Sequence, residues 1–189
     1  MKKDYPPVLD VCCGPRSFWY DKNDVRALFI DKRCETIRIE PGKTRPCGET
    51  IAIQPDEIGD FSSLRFPDNT FYLVVFDPPH IVRNSYEGVG RILNRYGHLS
   101  GDWEIMIRAG FSECFRVLKP NGVLVFKWHE SSIRVCEILK LTTEKPLFGN
   151  HRVAGNKTHW ITFIKNEDAR AENQRSRPNF VQQRKGVIT

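Results

Sequence analysis

The feature that most constrains this chain is an apolar run that ends in an acid and two prolines. Residues 73–76 are leucine, two valines and phenylalanine, which predicts a short buried strand. Pro78 and Pro79 cannot continue it, because proline has no backbone N–H to donate to a neighbouring strand. Asp77 is then left at the carboxyl end of the strand, where open α/β sheets bind ligands. The run therefore predicts an α/β fold with a carboxylate in its ligand crevice.

Size and charge are those of a single globular domain. The chain has 189 residues, of which 40% are hydrophobic and 28% charged, enough for a sizeable core. Its net charge of +6 permits a polyanionic partner without requiring one.

Several classes of protein are disfavoured by what the sequence lacks. The N-terminus has no apolar signal segment, and no run approaches the roughly 18 apolar residues that cross a bilayer. We therefore expect a cytoplasmic protein without a membrane partner. The six cysteines include no Cys-x-x-Cys pair, so we expect reduced thiols and no metal site.

The rest of the chain alternates strand-like and helix-like segments. Strands are predicted at residues 8–13, 27–31, 50–53, 73–76, 123–128, 146–148 and 159–164, and helices at 102–118 and 131–141. Little chain is left for a helix between the first two strands, and residues 32–49 read as a hairpin or an irregular loop.

Further acids lie within or after the first three predicted strands. Asp10 precedes a turn at Gly14, an arrangement found both in nucleotide sites and in ordinary strand-to-helix turns. Asp31 ends the second strand, where a carboxylate can accept hydrogen bonds from a ribose diol. Asp60 and Phe61 offer an acceptor and an apolar face for a purine, although an exposed loop acid is an equal alternative.

The order of these motifs resembles that of class I S-adenosylmethionine-dependent methyltransferases. The motifs that carry the resemblance are Asp10-x-x-x-Gly14, Asp31, Asp60-Phe61, Asp77-Pro78-Pro79-His80 and Lys119-Pro120-Asn121-Gly122. Asp10-x-Cys12-Cys13-Gly14-x-Arg16 and Phe126-Lys127-Trp128 are more closely similar to small amino-methyltransferases of phages and bacteria.

The resemblance implies a Rossmann-like fold over about residues 8–165. Its sheet would have seven mostly parallel strands with the last one antiparallel, and reduced helices between the first three strands. Residues 1–165 would form a single methyltransferase domain, and the polar, basic residues 166–189 a flexible tail.

The resemblance also implies a cofactor, S-adenosyl-L-methionine, and the residues that bind it. Asp10, Cys12, Cys13 and Gly14 would shape the pocket for its methionine end. Asp31 would bind the ribose, and Asp60 and Phe61 the adenine.

The same resemblance gives the DPPH motif a catalytic role. Asp77 and the carbonyl of Pro78 would accept hydrogen bonds from a substrate amine, which favours the pyramidal, nucleophilic form of its nitrogen. His80 would stack on the target ring, as extruded bases stack in a pocket, or serve as a base or hydrogen-bond donor.

The loops at the carboxyl edge of such a sheet are basic, which suits a nucleic acid. Candidate substrate-binding residues are Arg83, Trp128 and Lys157, with further basic side chains at Arg38, Lys43, Arg45, Arg91, Arg95 and Arg152. The leading hypothesis is methylation of an exocyclic amine, adenine N6 or cytosine N4, in DNA or RNA. A methyltransferase for a protein or small-molecule amine and a non-catalytic cofactor-binding subunit are the alternatives, and the oligomeric state stays open.

Overall fold

The computed structural model describes residues 4–41, 46–82, 95, 97–99, 101–150, 155 and 157–166. The strands are β1 (Val8–Asp10), β2 (Ala27–Asp31), β3 (Glu35–Ile39), β4 (Glu49–Ile53), β5 (Glu57–Ile58), β6 (Phe71–Phe76), β7 (Leu118–His129), β8 (Phe148–Gly149) and β9 (Thr158–Ile164). The helices in this part of the chain are α1 (Trp103–Val117) and α2 (Val135–Leu139).

The main sheet has seven strands in the order β5-β2-β1-β6-β7-β9-β8. Strands β5, β2, β1, β6 and β7 pair in parallel, and β9 runs antiparallel to both β7 and β8. Residues 11–26, which join β1 to β2, form turns without a helix. The predicted fold, a mostly parallel sheet with an antiparallel last strand and reduced early helices, is confirmed.

One predicted strand of the main sheet lies elsewhere. Residues 50–53 belong to β4, which pairs antiparallel with β3 in a separate two-stranded sheet. The place of the third strand is taken by β5, which pairs with the end of β2. The reason is the period-two pattern of β4, in which Ile51 and Ile53 are buried between exposed neighbours. This pattern suits a hairpin with one buried face, whereas a parallel strand is buried on both.

Helices cover one face of the main sheet. Ile107 and Phe111 of α1 pack with Phe76 of β6 in the main core, which also includes Ile138 of α2. Over β1 and β2, the opposite face is covered by the turns of residues 11–26, with Trp19 packed edge-to-face on Phe29 at 4.7 Å between ring centroids. The candidate site opens on this second face.

In the part of the chain that the structure describes, no helix is both long and apolar enough to span a bilayer.

Candidate active site

Three carboxylates meet at one edge of the sheet. Asp10 ends β1, Asp31 ends β2, and Asp77 follows β6 directly. Since β1 pairs in parallel with both β2 and β6, all three acids lie at the carboxyl ends of adjacent strands. The strand order reverses direction between β1 and β6, and this switch point is where open α/β sheets form a ligand crevice.

Asp10 is fully buried and anchors the turn that follows β1. Its Oδ2 accepts a hydrogen bond from Trp19 Nε1 at 2.8 Å, and its Oδ1 accepts one from the Cys12 backbone N–H at 3.3 Å. The pKa of Asp10 is raised to about 7, chiefly by burial and also by the charges of Asp77 and Asp31, against the lowering effect of these hydrogen bonds. Asp10 therefore lies in the negative field of the two other acids.

Asp31 fixes the glycine turn. Its Oδ2 accepts a hydrogen bond from the backbone N–H of Gly14 at 2.9 Å. Gly14 has a φ of +49°, a left-handed conformation that favours glycine. The Asp31 Oδ1 accepts the Arg33 backbone N–H at 2.9 Å, and the Arg33 guanidinium Nε lies 3.4 Å away. The structure therefore brings together Asp31 and Gly14, which the sequence had predicted to share a site.

Asp77 forms an ion pair that the sequence analysis did not predict. The Nζ of Lys127 donates to Asp77 Oδ2 at 2.5 Å, and both side chains are largely buried. Burial raises the pKa of Asp77, and the charge and hydrogen bond of Lys127 oppose this rise. The register of β6 and β7 brings the two charged residues together. Phe76 pairs with Phe126, Asp77 directly follows Phe76, and Lys127 directly follows Phe126.

Two aromatic rings stand beside this ion pair. The Nζ of Lys127 lies 5.6 Å from the ring centroid of Phe18 and 5.7 Å from that of Trp160. The two rings meet edge-to-face at 5.4 Å, and Trp160 is 36% exposed. The sequence analysis predicted a strand at residues 159–164, which contains Trp160, but no function for either ring.

His80 and Trp128 do not present their rings to a substrate, which corrects two expectations. Trp128 is fully buried, and its Nε1 donates to the carbonyl of Ile133 at 2.9 Å. Side chains alternate along β7, so Trp128 points into the helix-covered core while Lys127 faces the site. His80 is 7% exposed, with its ring 6.4 Å from Trp128 and 5.2 Å from His129.

His80 is also held neutral. Burial, followed by the charges of His129 and Lys127, lowers its pKa to about 4. The ring is therefore neutral at neutral pH and buried beside Trp128 and His129.

The two residues predicted to bind adenine lie in different surroundings, Asp60 nearer the surface and Phe61 in the core. Asp60 accepts hydrogen bonds from Ser62 N and Oγ at 2.8 and 2.7 Å, closing the turn after β5. It borders a cavity of about 370 Å³ that is also lined by Ile30 and Leu64. Phe61, by contrast, is buried with its ring 5.1 Å from that of Phe76. Its predicted contact with a purine is corrected, because this ring packs beneath α1.

The two adjacent cysteines have different surroundings. The Cys12 side chain contacts the backbone of Asp77, and burial raises its pKa well above the usual value. Cys13 is buried with Ala27 and Phe29, and its thiol lies within the electrostatic influence of Asp10 and Asp31. Burial raises the pKa of Cys13 to about 12, so both thiols are protonated at neutral pH. All six cysteines have free thiols.

The predicted basic side chains are only partly described. Lys157 is exposed where β9 begins, and its carbonyl accepts the Glu130 backbone N–H at 2.9 Å. It therefore lies beside the carboxyl end of β7. Arg95 forms an ion pair with Glu49 of the hairpin. Arg83, Lys43, Arg45, Arg91 and Arg152 lie outside the described residues.

Among the residues whose placement is described, no group of three or more histidine, cysteine or acidic side chains is arranged to hold a metal ion.

Comparison with known proteins gives structural similarity only. No family model and no curated protein matches this chain. A TehB-like S-adenosylmethionine-dependent methyltransferase of Corynebacterium glutamicum is 11% identical, with a TM-score of 0.49 over 86% of this chain and 81% of that one. The PH0226 protein of Pyrococcus horikoshii is 16% identical, with a TM-score of 0.48 over 84% and 81%. The N-methyltransferase NodS of Bradyrhizobium japonicum is 14% identical, with a TM-score of 0.43 over 86% of each chain. Because these values are low, the fold assignment rests on the strand order and pairing described above.

Proposed function

We propose that this protein is an S-adenosylmethionine-dependent methyltransferase. The observation that carries the proposal is the meeting of Asp10, Asp31 and Asp77 at the switch point of the sheet, with the Gly14 turn bonded to Asp31. Asp77 and Asp31 lie close enough to Asp10 to raise its pKa, so the three carboxyl groups share one crevice. Such a site suits a ligand that carries a sulfonium and an ammonium group.

The residues present fit the parts of this cofactor. Asp31 retains acceptor capacity for a ribose diol, because each carboxylate oxygen has more than one lone pair. Asp10 and the Gly14 turn shape the region for the methionine end, and Asp60 lies beyond β2 for the adenine. When bound, the cofactor supplies an electrophilic methyl group on a sulfonium.

The substrate we propose is an exocyclic amine of a nucleobase, adenine N6 or cytosine N4. Asp77 and the Pro78 carbonyl accept hydrogen bonds from its two N–H groups, so the nitrogen lone pair becomes available for attack. With the cofactor bound, its sulfonium would supply the methyl group to the amine and leave as the thioether, and the Asp77 carboxylate would accept the proton that the amine loses and pass it to solvent. Lys127 positions that carboxylate.

A nucleic-acid substrate is supported by charge. The chain carries +6, and Lys157 is exposed at the edge where Asp77 lies. Phosphate groups are the natural partners of such basic side chains.

The proposal is tested in two steps. Calorimetric titration with S-adenosylmethionine and S-adenosylhomocysteine should show binding, and binding of neither ligand would contradict the proposed class. Incubation with tritiated cofactor and separate DNA, RNA and protein pools should then label a nucleic acid. Label in protein alone would reject the nucleobase, and confirmed cofactor binding without any transfer would favour a non-catalytic subunit.

A further inference from the structure

The methyl-accepting ring needs a surface to stack on, and the predicted ones are buried. His80 and Trp128 expose almost none of their area. Phe18, which is half-buried, and Trp160, which is exposed, instead lie beside the Asp77–Lys127 pair. We propose that Phe18 and Trp160 form the wall on which the target base stacks, an inference that rests on the function proposed above.

The first support is where the strand pairing places Trp160. It lies opposite Lys127 in the antiparallel β7–β9 pairing, so both side chains project from the same face of the sheet. Lys127 in turn reaches Asp77. A base whose amine approaches Asp77 from this face therefore passes the rings of Trp160 and Phe18.

The second support is the position of the Lys127 ammonium. This group is an N–H donor that bonds a carboxylate while lying between 5 and 6 Å from the two ring centroids. The exocyclic amine of a nucleobase has the same requirements, an acceptor for its N–H group and an aromatic surface for the ring that bears it. Because Lys127 bonds Asp77 Oδ2, we expect the amine to bond the other carboxylate oxygen, Oδ1.

The third support is that the Phe18 ring is packed and the Trp160 backbone is anchored. Phe18 stacks on Trp19 with centroids 6.1 Å apart, and Trp19 is bonded to Asp10. The backbone of Trp160 exchanges two hydrogen bonds with Asn150, from Trp160 N to Asn150 Oδ1 at 2.6 Å and from Asn150 N to the Trp160 carbonyl at 3.1 Å. A rigid wall binds a ring with little loss of conformational freedom.

The test compares four single variants of the full chain. Trp160→Ala and Phe18→Ala remove the wall, and Trp160→Phe retains an aromatic ring. Tyr72→Ala is the matched control, because Tyr72 is an exposed aromatic residue near the start of β6, at the opposite edge of the sheet from Asp77.

The probes are random-sequence oligonucleotides of DNA and of RNA, each in single-stranded and double-stranded form. Their binding to the protein is measured by fluorescence anisotropy in the presence of S-adenosylhomocysteine. We expect each alanine variant of the wall to weaken binding by about tenfold, the effect of removing one base–aromatic stack. Trp160→Phe should retain most of the affinity, and Tyr72→Ala all of it. Calorimetric affinity for S-adenosylhomocysteine should be unchanged in all four variants, which also shows that they are folded.

Three results would overturn the inference. In the first, the alanine variants bind the oligonucleotides as tightly as the wild type. In the second, they lose affinity for S-adenosylhomocysteine instead, which assigns the rings to the cofactor. In the third, a wild-type protein that binds S-adenosylhomocysteine binds no oligonucleotide, which rejects the nucleobase but leaves the cofactor assignment standing. A wild-type protein that binds no S-adenosylhomocysteine contradicts the proposed function itself.

Discussion

At the scale of single residues, the site is built from buried carboxylates that differ in the groups that pair with them or donate hydrogen bonds to them. Asp77 is paired with Lys127, and Asp31 accepts two backbone N–H groups, from Gly14 and Arg33. Asp10 has neutral donors only, and its burial is complete. This complete burial, with no cation to offset it, is the main reason why the pKa of Asp10 rises to about 7.

This rise makes the stability of the free protein depend on pH. Between about pH 4 and 7 the Asp10 carboxyl is protonated in the folded chain and ionised in the unfolded chain, so the folded state binds more protons. Its contribution to the free energy of unfolding therefore decreases as pH rises through this window, by on the order of 4 kcal/mol. Asp10→Asn should remove this dependence while keeping an oxygen acceptor for Trp19.

Urea unfolding of the wild type and Asp10→Asn at pH 4.5 and pH 7 measures the effect. We expect the variant to gain stability relative to the wild type at the higher pH. Asp21→Asn, which removes an exposed acid from the same turn region, is the control. Equal pH dependence in the wild type and Asp10→Asn would contradict the assigned burial of Asp10.

The sequence was sufficient to locate the acids but not their neighbours. Asp10, Asp31 and Asp77 follow from strand ends, which local patterns reveal. The contacts of Lys127 and Trp160 depend on the register of β6, β7 and β9, which lie far apart in the sequence. No local pattern carries that information.

At the scale of elements, the packing of α1 depends on one glycine. Gly110 lies in the middle of the helix, where a Cβ atom would be 2.7 Å from ring atoms of both Phe61 and Phe76. The helix can therefore approach β6 only because this position has no side chain. The same close approach is what places Phe61 in the core.

We expect Gly110→Ala to destabilise the protein although alanine is the better helix former. The gain in helix propensity is about 1 kcal/mol, and overpacking against two aromatic rings costs about 1–3 kcal/mol. The measurement is chemical unfolding, with Ser112→Ala on the exposed face of α1 as the control. Increased stability of Gly110→Ala would show that α1 lies farther from the sheet.

The hairpin of β3 and β4 shows where element prediction from sequence was incomplete. The strand-like pattern of residues 50–53 was correctly identified, but a pattern does not specify which strand is the partner. The two-residue strand β5, which completes the main sheet beside β2, is too short to show a period. The predicted helix at 131–141 was likewise located correctly, but only Val135–Leu139 is helical.

At the scale of the whole molecule, the two faces of the sheet have different roles. Helices α1 and α2 cover the face that carries Phe76 and Trp128, and this face holds the main core. The opposite face carries Asp10, Asp77 and Lys127, and the turns of residues 11–26 lie over β1 and β2 there. The proposed catalytic carboxylate therefore lies on the face opposite the main core.

The measurement that tests this account most directly is nucleoside mass spectrometry of nucleic acid treated with the protein and S-adenosylmethionine. We expect N6-methyladenine or N4-methylcytosine after treatment with the wild type. With Asp77→Ala we expect loss of the product by a factor of at least about 100, because a positioning acceptor is lost at the reacting atom, while cofactor binding is retained. Full activity of Asp77→Ala, or a methyl group found only on protein, would contradict it.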